Sequence, residues 1–197
     1  MHMAGSNIAA GDGKPRCRWC NLANPLYVRY HDTEWGRPVL GDDHKMFEML
    51  LLEMFQAGLS WECVLNKREA FREAFDGFDC TKVAAYGPEK ISALCANPAI
   101  IRNRLKIKAA VTNAQVFQQV QRECGSFCSY IWHFTRSCVV HESGKSSSAL
   151  SDAVSAELKR RGMKFVGTKI IYSLLQATGV INSHDEGCWL HASPNEQ

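Results

Sequence analysis

Apolar positions between Asp42 and Trp61 form the stretch around which the rest of the chain is organised. Asp42 or Asp43 can cap a helix N-terminus, and Gly58 can end the helix in a left-handed conformation. A helix that is apolar on all sides is a buried helix. The pattern predicts such a helix here, because apolar side chains cover nearly every helical direction: Met46, Phe47, Met49, Leu50, Leu51, Leu52, Met54 and Phe55.

Glu53 lies inside this apolar run, five residues before the glycine. A buried carboxylate without a partner takes up a proton or is costly, so it normally has a partner or a purpose. Glu48 lies nearer the polar N-terminal end, where the helix dipole favours an acid. After Glu53 come Gln56 and the turn that ends at Trp61, and an acid, an amide and an indole together are typical of a pocket for a flat polar ligand. A structural ion pair or amide contact for Glu53 is the competing interpretation.

The hydrophobic pattern elsewhere predicts further helices and few strands, so we expect an all-α protein with about eight to ten helices. An amphipathic helix is expected over 61–75, and a proline at the first turn favours another from Pro88. A break at Asn97-Pro98 separates that helix from one over 104–120. The remaining helices are expected at 79–86, 127–134, 151–161 and 168–177.

The connection before the 104–120 helix alternates basic and apolar residues between 100 and 108. Its basic residues are Arg102, Arg104, Lys106 and Lys108. Such a pattern is most often a solvated amphipathic face. The functional alternative is a hairpin whose backbone amides and basic side chains hold a DNA phosphate.

Composition changes this picture little. The 197 residues, 46% hydrophobic and 22% charged, fit one soluble globular domain. A net charge of +3 permits nucleic-acid binding through a local basic face but does not require it. No apolar run is long enough for a membrane span and no secretory signal is visible, so we expect no membrane contact. Residues 1–14 are expected to be disordered and to include a cloning scar, 15–192 to form the domain, and 193–197 to be a flexible tail.

The nine cysteines are irregularly spaced, which favours reduced thiols, some of them metal-binding, over a disulfide framework. His184 and Cys188 are four residues apart, a spacing typical of half a zinc site. The other half can come from Cys17, Cys20 or His31. Such an ion would join the two ends of the chain and contribute stability instead of chemistry. Spacing alone leaves a surface or core role for the tail pair equally open.

Several long motifs occur in one order and together resemble the bacterial 3-methyladenine DNA glycosylase I family. They are Cys-x-Trp, Pro-Leu-Tyr-x-x-Tyr-His-Asp-x-Glu-Trp-Gly, Leu-Glu-x-x-Gln-Ala-Gly-Leu-Ser-Trp, Lys-Phe-Val-Gly-Thr and the terminal His-x-x-x-Cys. The similarity covers residues 17–189. The resemblance implies a helix-hairpin-helix DNA glycosylase fold with a zinc site that clips the N- and C-terminal segments together.

The resemblance also implies roles for individual residues. Glu53 would be the catalytic residue and would hydrogen-bond the flipped base. Gly58 and Leu59 would fill the gap left in the duplex. The hairpin would bind DNA through Arg102, Arg104 and Lys106. The base pocket would contain Trp61, Trp19, Tyr27, Tyr30 and Ser173, whereas Trp35 is expected in the core. One structural Zn²⁺ would be held by Cys17, His31, His184 and Cys188.

The implied function is hydrolytic removal of 3-methyladenine from double-stranded alkylated DNA. A monomer in the bacterial cytoplasm, associated with the nucleoid during repair, would release the free base and leave an abasic site without lyase activity. The general base for the attacking water has no assigned residue. Met54 stands where a glycine is common, which suggests an altered base preference as one alternative. A non-catalytic protein of the same fold that recognises alkylated bases is the other.

Overall fold

The structure, a computed structural model, describes residues 8–9 and 11–191, and in these ranges ten α-helices dominate. The helices are α1 (Pro25–Thr33), α2 (Asp43–Gln56), α3 (Trp61–Leu65), α4 (Arg68–Ala74), α5 (Cys80–Ala84), α6 (Pro88–Ala96), α7 (Arg104–Cys124), α8 (Phe127–His133), α9 (Ala149–Arg160) and α10 (Thr168–Ala177). A 3-10 turn covers Asp76–Phe78. Two short ladders complete the fold: β1 (Ile8–Ala9) runs antiparallel to β2 (Pro15–Arg16), and β3 (Val140–His141) runs parallel to β4 (Ile181–Asn182).

Helix α2 is the centre of the core, as the hydrophobic pattern predicts. Every residue from Met46 to Phe55 is buried, and α3, α7, α8 and α10 all pack against the helix. Asp42 caps the N-terminus by accepting the Lys45 N–H at 2.8 Å. The helix ends before Gly58, whose φ of +79° is the left-handed conformation that glycine adopts without strain. The predicted caps and the predicted burial are therefore confirmed.

Glu48 differs from the sequence-based expectation of a helix-end acid, because it is buried in an ion-pair network. Its carboxylate lies 2.9 Å from Arg68 and 2.6 Å from Arg72. Burial by itself would raise the pKa of Glu48, but the hydrogen bond and charge of Arg68 hold that pKa below its ordinary value. This acid is consequently a satisfied part of the core.

Three predicted helix boundaries are wrong. The helix expected over 104–120 continues to Cys124. The expected 61–75 helix is two helices, with a break between Leu65 and Arg68 that lets Arg68 donate to both oxygens of Glu34. The expected start at 151 is too late, because a capping box begins α9 at Ser148. Ser148 accepts the Ser151 N–H, and the Ser151 hydroxyl accepts the Ser148 N–H at 2.9 Å.

The described part of the N-terminal segment contacts the helical domain. Arg16 is buried and bridges Asp12 at 2.6 Å and Asp32 at 2.7 Å. These ion pairs connect the segment to α1, and β1 pairs with β2. The division into 1–14, 15–192 and 193–197 stays a prediction. Residues 1–7 and 10 and the predicted flexible tail 193–197 lie outside the described residues. Among the described helices, none has the length and apolar character needed to cross a membrane.

Candidate active site and metal centre

A cavity of about 400 Å³ opens beside the C-terminal half of α2. This volume is typical of a small-molecule pocket. Glu53 and the five residues predicted for the base pocket all line it, together with residues that were not predicted there. The lining comprises Trp19, Tyr27, Tyr30, Trp35, Glu53, Gln56, Trp61, Gly144, Lys145, Ser173, Gln176, Ser183 and Asp185.

Local capping positions the aromatic side chains. Asn24 accepts the Leu26 N–H at 3.0 Å and begins α1, which places Tyr27 and Tyr30 one turn apart on the same side of that helix. Ser60 begins α3 in the same way, so Trp61 is the first residue of that helix. The ring centroids of Tyr30 and Trp61 are 5.0 Å apart.

A second group of rings also lines the cavity. Trp19 lies 5.4 Å from Tyr27 and 4.7 Å from Trp35, measured between ring centroids. Trp35 is buried, as expected for a core residue, but it also borders the cavity. The walls therefore offer π-faces to a planar ligand.

Glu53 is the acid of this cavity and is only 3% exposed. Its Oε2 and the Trp61 Nε1 are buried and have no hydrogen-bond partner among the described residues. Burial raises the pKa of Glu53 to about 8. Unlike Glu48 on the same helix, Glu53 has no arginine to offset its desolvation. The open acceptor and the open donor are the groups that a polar ligand would satisfy, since leaving them unpaired is costly.

The turn between α2 and α3 follows the cavity-lining residues Glu53 and Gln56 in sequence and carries Leu59. Leu59 is 43% exposed and forms an apolar tip, the Leu59 tip. Its N–H donates to the Gln56 carbonyl at 2.7 Å. A Cβ added at Gly58 would meet nothing within 4 Å, so glycine is required there by its positive φ and not by crowding. The pocket acid and the exposed tip thus share one continuous segment.

The predicted helix pair is present, with α6 and α7 joined by residues 97–103. Asn103 caps α7 by accepting the Lys106 N–H at 3.1 Å, and Arg102 and Arg104 are exposed. Lys106, predicted to bind DNA, is instead buried, and its ammonium donates to the carbonyls of Phe55 at 2.8 Å and Ala57 at 2.6 Å. The alternating pattern could not show this, because the partners lie about fifty residues earlier in the chain.

A separate cluster brings together the four residues predicted to bind metal. The ligand atoms of Cys17, His31, His184 and Cys188 all lie within 4.8 Å of one another, and all four residues are buried. Cys17 Sγ is 3.4 Å from His184 Nδ1, and Cys188 Sγ is 3.5 Å from His31 Nε2. These separations match the edges of a tetrahedron of two sulfur and two nitrogen ligands around Zn²⁺. The cluster could therefore hold a metal ion, and its donor set fits zinc.

Outer contacts also suit such a site. His31 Nδ1 lies 2.8 Å from Asp32, and the Asp185 N–H donates to the Cys17 sulfur at 3.3 Å. The contact between the two thiols raises the pKa of Cys17 and lowers that of Cys188, as expected when one proton is shared. Cys20 and His191 are not members of the cluster. The backbone at Gly36, with φ +74°, lies close to the His184 ring: a Cβ added there would be 2.8 Å from His184 Nε2, so only glycine fits at this position.

Some cavity residues were not predicted from the sequence. Gln176 follows Ser173 by three positions on α10, so helical spacing could have placed it on the same face. Asp185 is adjacent to a predicted metal ligand. Gly144 and Lys145 lie between β3 and α9, and no local pattern places them at the cavity.

These elements define a mostly helical protein with an aromatic pocket around a buried acid, and comparison with known proteins agrees. The profile of the methyladenine glycosylase family matches residues 19–191. DNA-3-methyladenine glycosylase 1 of Escherichia coli (strain K12) is 46% identical over 180 residues, which are 88% of this chain and 95% of that protein. The chain belongs to the methyladenine glycosylase family.

Solved structures support the same assignment. A crystal structure of 3-methyladenine DNA glycosylase I matches with a TM-score of 0.85 and 42% identity, covering 90% of this chain and 100% of that one. A tyrosine-to-phenylalanine variant of 3-methyladenine DNA glycosylase I, solved in complex with 3-methyladenine, matches with a TM-score of 0.83 and 32% identity. That match covers 88% of this chain and 95% of the other.

Proposed function

We propose that the protein is a monofunctional DNA glycosylase that removes 3-methyladenine from alkylated double-stranded DNA by hydrolysis. The observation that carries the proposal is the pair of unpartnered polar atoms, Glu53 Oε2 and Trp61 Nε1, buried in an aromatic cavity. Homologues named for this activity, one of them solved with 3-methyladenine bound, support the choice of base.

The chemistry of the substrate explains why such a pocket suffices. Methylation at N3 places a positive charge on the adenine and weakens its bond to the sugar, so the enzyme need not supply a strong acid. Its task is to extrude the nucleotide and to distinguish the methylated base from ordinary adenine. An unpaired buried carboxyl meets the second requirement, because a cation beside Glu53 favours the carboxylate whereas a neutral ring does not.

The remaining pocket groups add to this discrimination. In its carboxylate form Glu53 can accept hydrogen bonds from the exocyclic amine, while Tyr30 and Trp61 stack on the ring. A cationic ring over an aromatic face gains about 0.5–2 kcal/mol more than a neutral one. Water then attacks the sugar carbon, and the free base and an abasic site are the products.

No lyase step is part of the proposal. A lyase needs an amine that forms a Schiff base with the sugar. Among the described residues that line the cavity, Lys145 supplies the one ammonium, and its Nζ lies 3.4 Å from Glu142 on the outer loop. We therefore expect base release without strand cleavage.

For DNA binding we propose a helix-hairpin-helix element formed by α6, residues 97–103 and α7. Exposed Arg102 and Arg104 would contact phosphates, and the amides at the start of α7 would support them. Leu59 would enter the duplex and fill the gap left by the extruded nucleotide. The protein would act as a monomer in the bacterial cytoplasm, where its chromosomal substrate lies.

One structural Zn²⁺ is proposed for the cluster of Cys17, His31, His184 and Cys188. The ion would join the segment before α1 to the segment after β4. These segments also carry Trp19 and Asp185, which line the cavity. The metal would thereby stabilise one wall of the pocket and take no part in the reaction.

The test is base release from methylated duplex DNA, followed by chromatography of the freed bases. Wild type, Glu53→Gln and the matched control Glu73→Gln, at an exposed site on α4, are compared. We expect selective release of 3-methyladenine by wild type and by the control, and a strong loss in Glu53→Gln.

Other outcomes would change the assignment. No release by a folded, metal-loaded wild type would leave a non-catalytic protein that recognises alkylated bases. Equal release of 7-methylguanine would indicate a glycosylase of altered preference, with Met54 as the first residue to revert. Borohydride trapping of a protein–DNA adduct would show a lyase and contradict the monofunctional proposal.

A further inference from the structure

Lys106 is a buried cation, and its ammonium contacts two backbone carbonyls. Its side chain is on α7 and only 5% of the residue is exposed. Its ammonium donates to Phe55 O at 2.8 Å and to Ala57 O at 2.6 Å, and no ion pair to it occurs among the described residues. Desolvation lowers the pKa of Lys106. Burying an ammonium in this way is costly, so its position calls for an explanation beyond packing.

The two carbonyls belong to the C-terminal end of α2. Carbonyls at a helix C-terminus have no intrahelical partner, and the helix dipole makes this end negative. Between them, the Gln56 carbonyl accepts the Leu59 N–H. Lys106 therefore holds the residues on which the Gly58 turn and the exposed Leu59 tip are built.

At its other end Lys106 is anchored in the first turn of α7. Its own N–H donates to the capping Asn103 side chain at 3.1 Å, and Arg104 occupies the first position of the same turn. The Asn103 N–H in turn donates to the Ile101 carbonyl at 2.9 Å. A single side chain thus connects the proposed phosphate-binding loop with the turn that carries Leu59.

We propose that Lys106 is a positioning residue that sets the Leu59 tip relative to the α6–α7 hairpin during base extrusion. The proposal rests on the proposed function, and it assigns Lys106 no direct contact with DNA or base. Extrusion requires that the backbone be gripped at one point while an apolar side chain enters the stack at another. Because misplacement by about 1 Å can cost a hundredfold in rate, a fixed distance between the two points matters.

The experiment compares Lys106→Met, which keeps an unbranched side chain but removes the ammonium, with Lys82→Met on α5. Lys82 is exposed and lies outside the 100–108 segment, so its substitution controls for loss of a lysine. At saturating enzyme, we expect single-turnover release of 3-methyladenine from duplex DNA to fall at least tenfold for Lys106→Met and to stay unchanged for Lys82→Met. Binding of free 3-methyladenine, measured by calorimetry, should change less than twofold in both variants.

The salt dependence of binding to an abasic duplex separates positioning from phosphate contact. Loss of one phosphate contact lowers the slope of log K against log salt by about 0.9. We expect that decrease for Arg104→Met and no decrease for Lys106→Met. A Lys106→Met slope that matches the Arg104→Met slope would overturn the proposal in favour of direct DNA contact.

A double-mutant cycle tests whether Lys106 acts through the tip. If it does, the combination of Leu59→Ala with Lys106→Met should release the base no more slowly than the slower single variant. Fully multiplicative losses in the rate of base release would overturn the proposal, as would equal losses in excision and in binding of the free base.

Lys106→Gln, whose side chain is too short to reach both carbonyls, is expected to behave like Lys106→Met and serves if the methionine variant does not fold. An inactive wild type would refute the proposed function, whereas an active wild type with an unaffected Lys106→Met would refute this inference alone.

Discussion

The Glu53 carboxyl is expected to make the folded protein less stable as the pH rises. Its pKa is about 8 in the fold against an ordinary value of 4.5, because the site is buried. The folded state therefore binds this proton more tightly than the unfolded chain does. The favourable contribution of the group is complete below about pH 4.5 and is lost as the pH rises through about 8.

The substitution Glu53→Gln removes this titration and keeps the size of the side chain. One pKa unit corresponds to about 1.4 kcal/mol, and pH 7 lies about 2.5 units above the ordinary pKa. Relative to their difference at pH 4.5, the glutamine variant should therefore gain about 3 kcal/mol in free energy of unfolding by pH 7. The gain should approach about 4 kcal/mol above pH 8 and then level off. Glu53 is only 3% exposed, so solvent screening does not reduce these values much.

Urea denaturation at pH 4.5, 6, 7 and 8.5 measures the effect, with the zinc concentration held constant. The difference between the two proteins cancels every titrating group that they share, including the cysteine and histidine cluster. Glu73→Gln, at an exposed position, should give a difference that hardly varies with pH. A Glu53→Gln difference that is independent of pH, or that decreases as the pH rises, would refute the reasoning.

Three further predictions concern zinc binding, stacking of the base on Trp61 and the pH dependence of base release. Cys188→Ser should lower the zinc content, and it should lower the Tm by about 10 °C if about 4 kcal/mol of stability is lost. Cys20→Ser, at a cysteine buried outside the cluster, should retain the metal. Metal analysis and thermal denaturation measure both variants. Trp61→Leu should weaken binding of free 3-methyladenine about tenfold or more, because stacking contributes about 1–3 kcal/mol per base, as calorimetry would show. Base release at subsaturating enzyme should rise with pH up to about 8, where the Glu53 carboxylate forms, and this rise should be absent from the residual activity of Glu53→Gln.

Each of these has a clear contrary result. Equal zinc content in Cys188→Ser and wild type would remove that residue from the metal site. Unchanged affinity in Trp61→Leu would make the indole a wall without a stacking role. A pH profile identical in wild type and Glu53→Gln would assign the titration to another group.

Local features of the chain were predictable because a helix repeats over a few residues. The apolar run around Glu53, its aspartate cap and its closing glycine determine α2 without reference to the rest of the fold. His184 and Cys188, four residues apart, are close enough in sequence to share one turn, and both belong to the cluster that could hold a metal ion. The order of the long motifs identified the family, and with it the residues that the structure brings together at the cavity and at the cluster.

Contacts between distant segments were decided only by the tertiary structure. Glu48 and Glu53 are acids on one apolar helix, yet Arg68 lowers the pKa of the first while burial alone raises that of the second. Lys106 belongs to an alternating basic pattern that left a solvated face and a DNA contact open, but packing of α7 on α2 turns it toward two carbonyls. A sequence pattern specifies which side of its own helix a residue occupies. The partner on that side, and therefore the charge state and the role of the residue, depends on which segment the completed fold places against it.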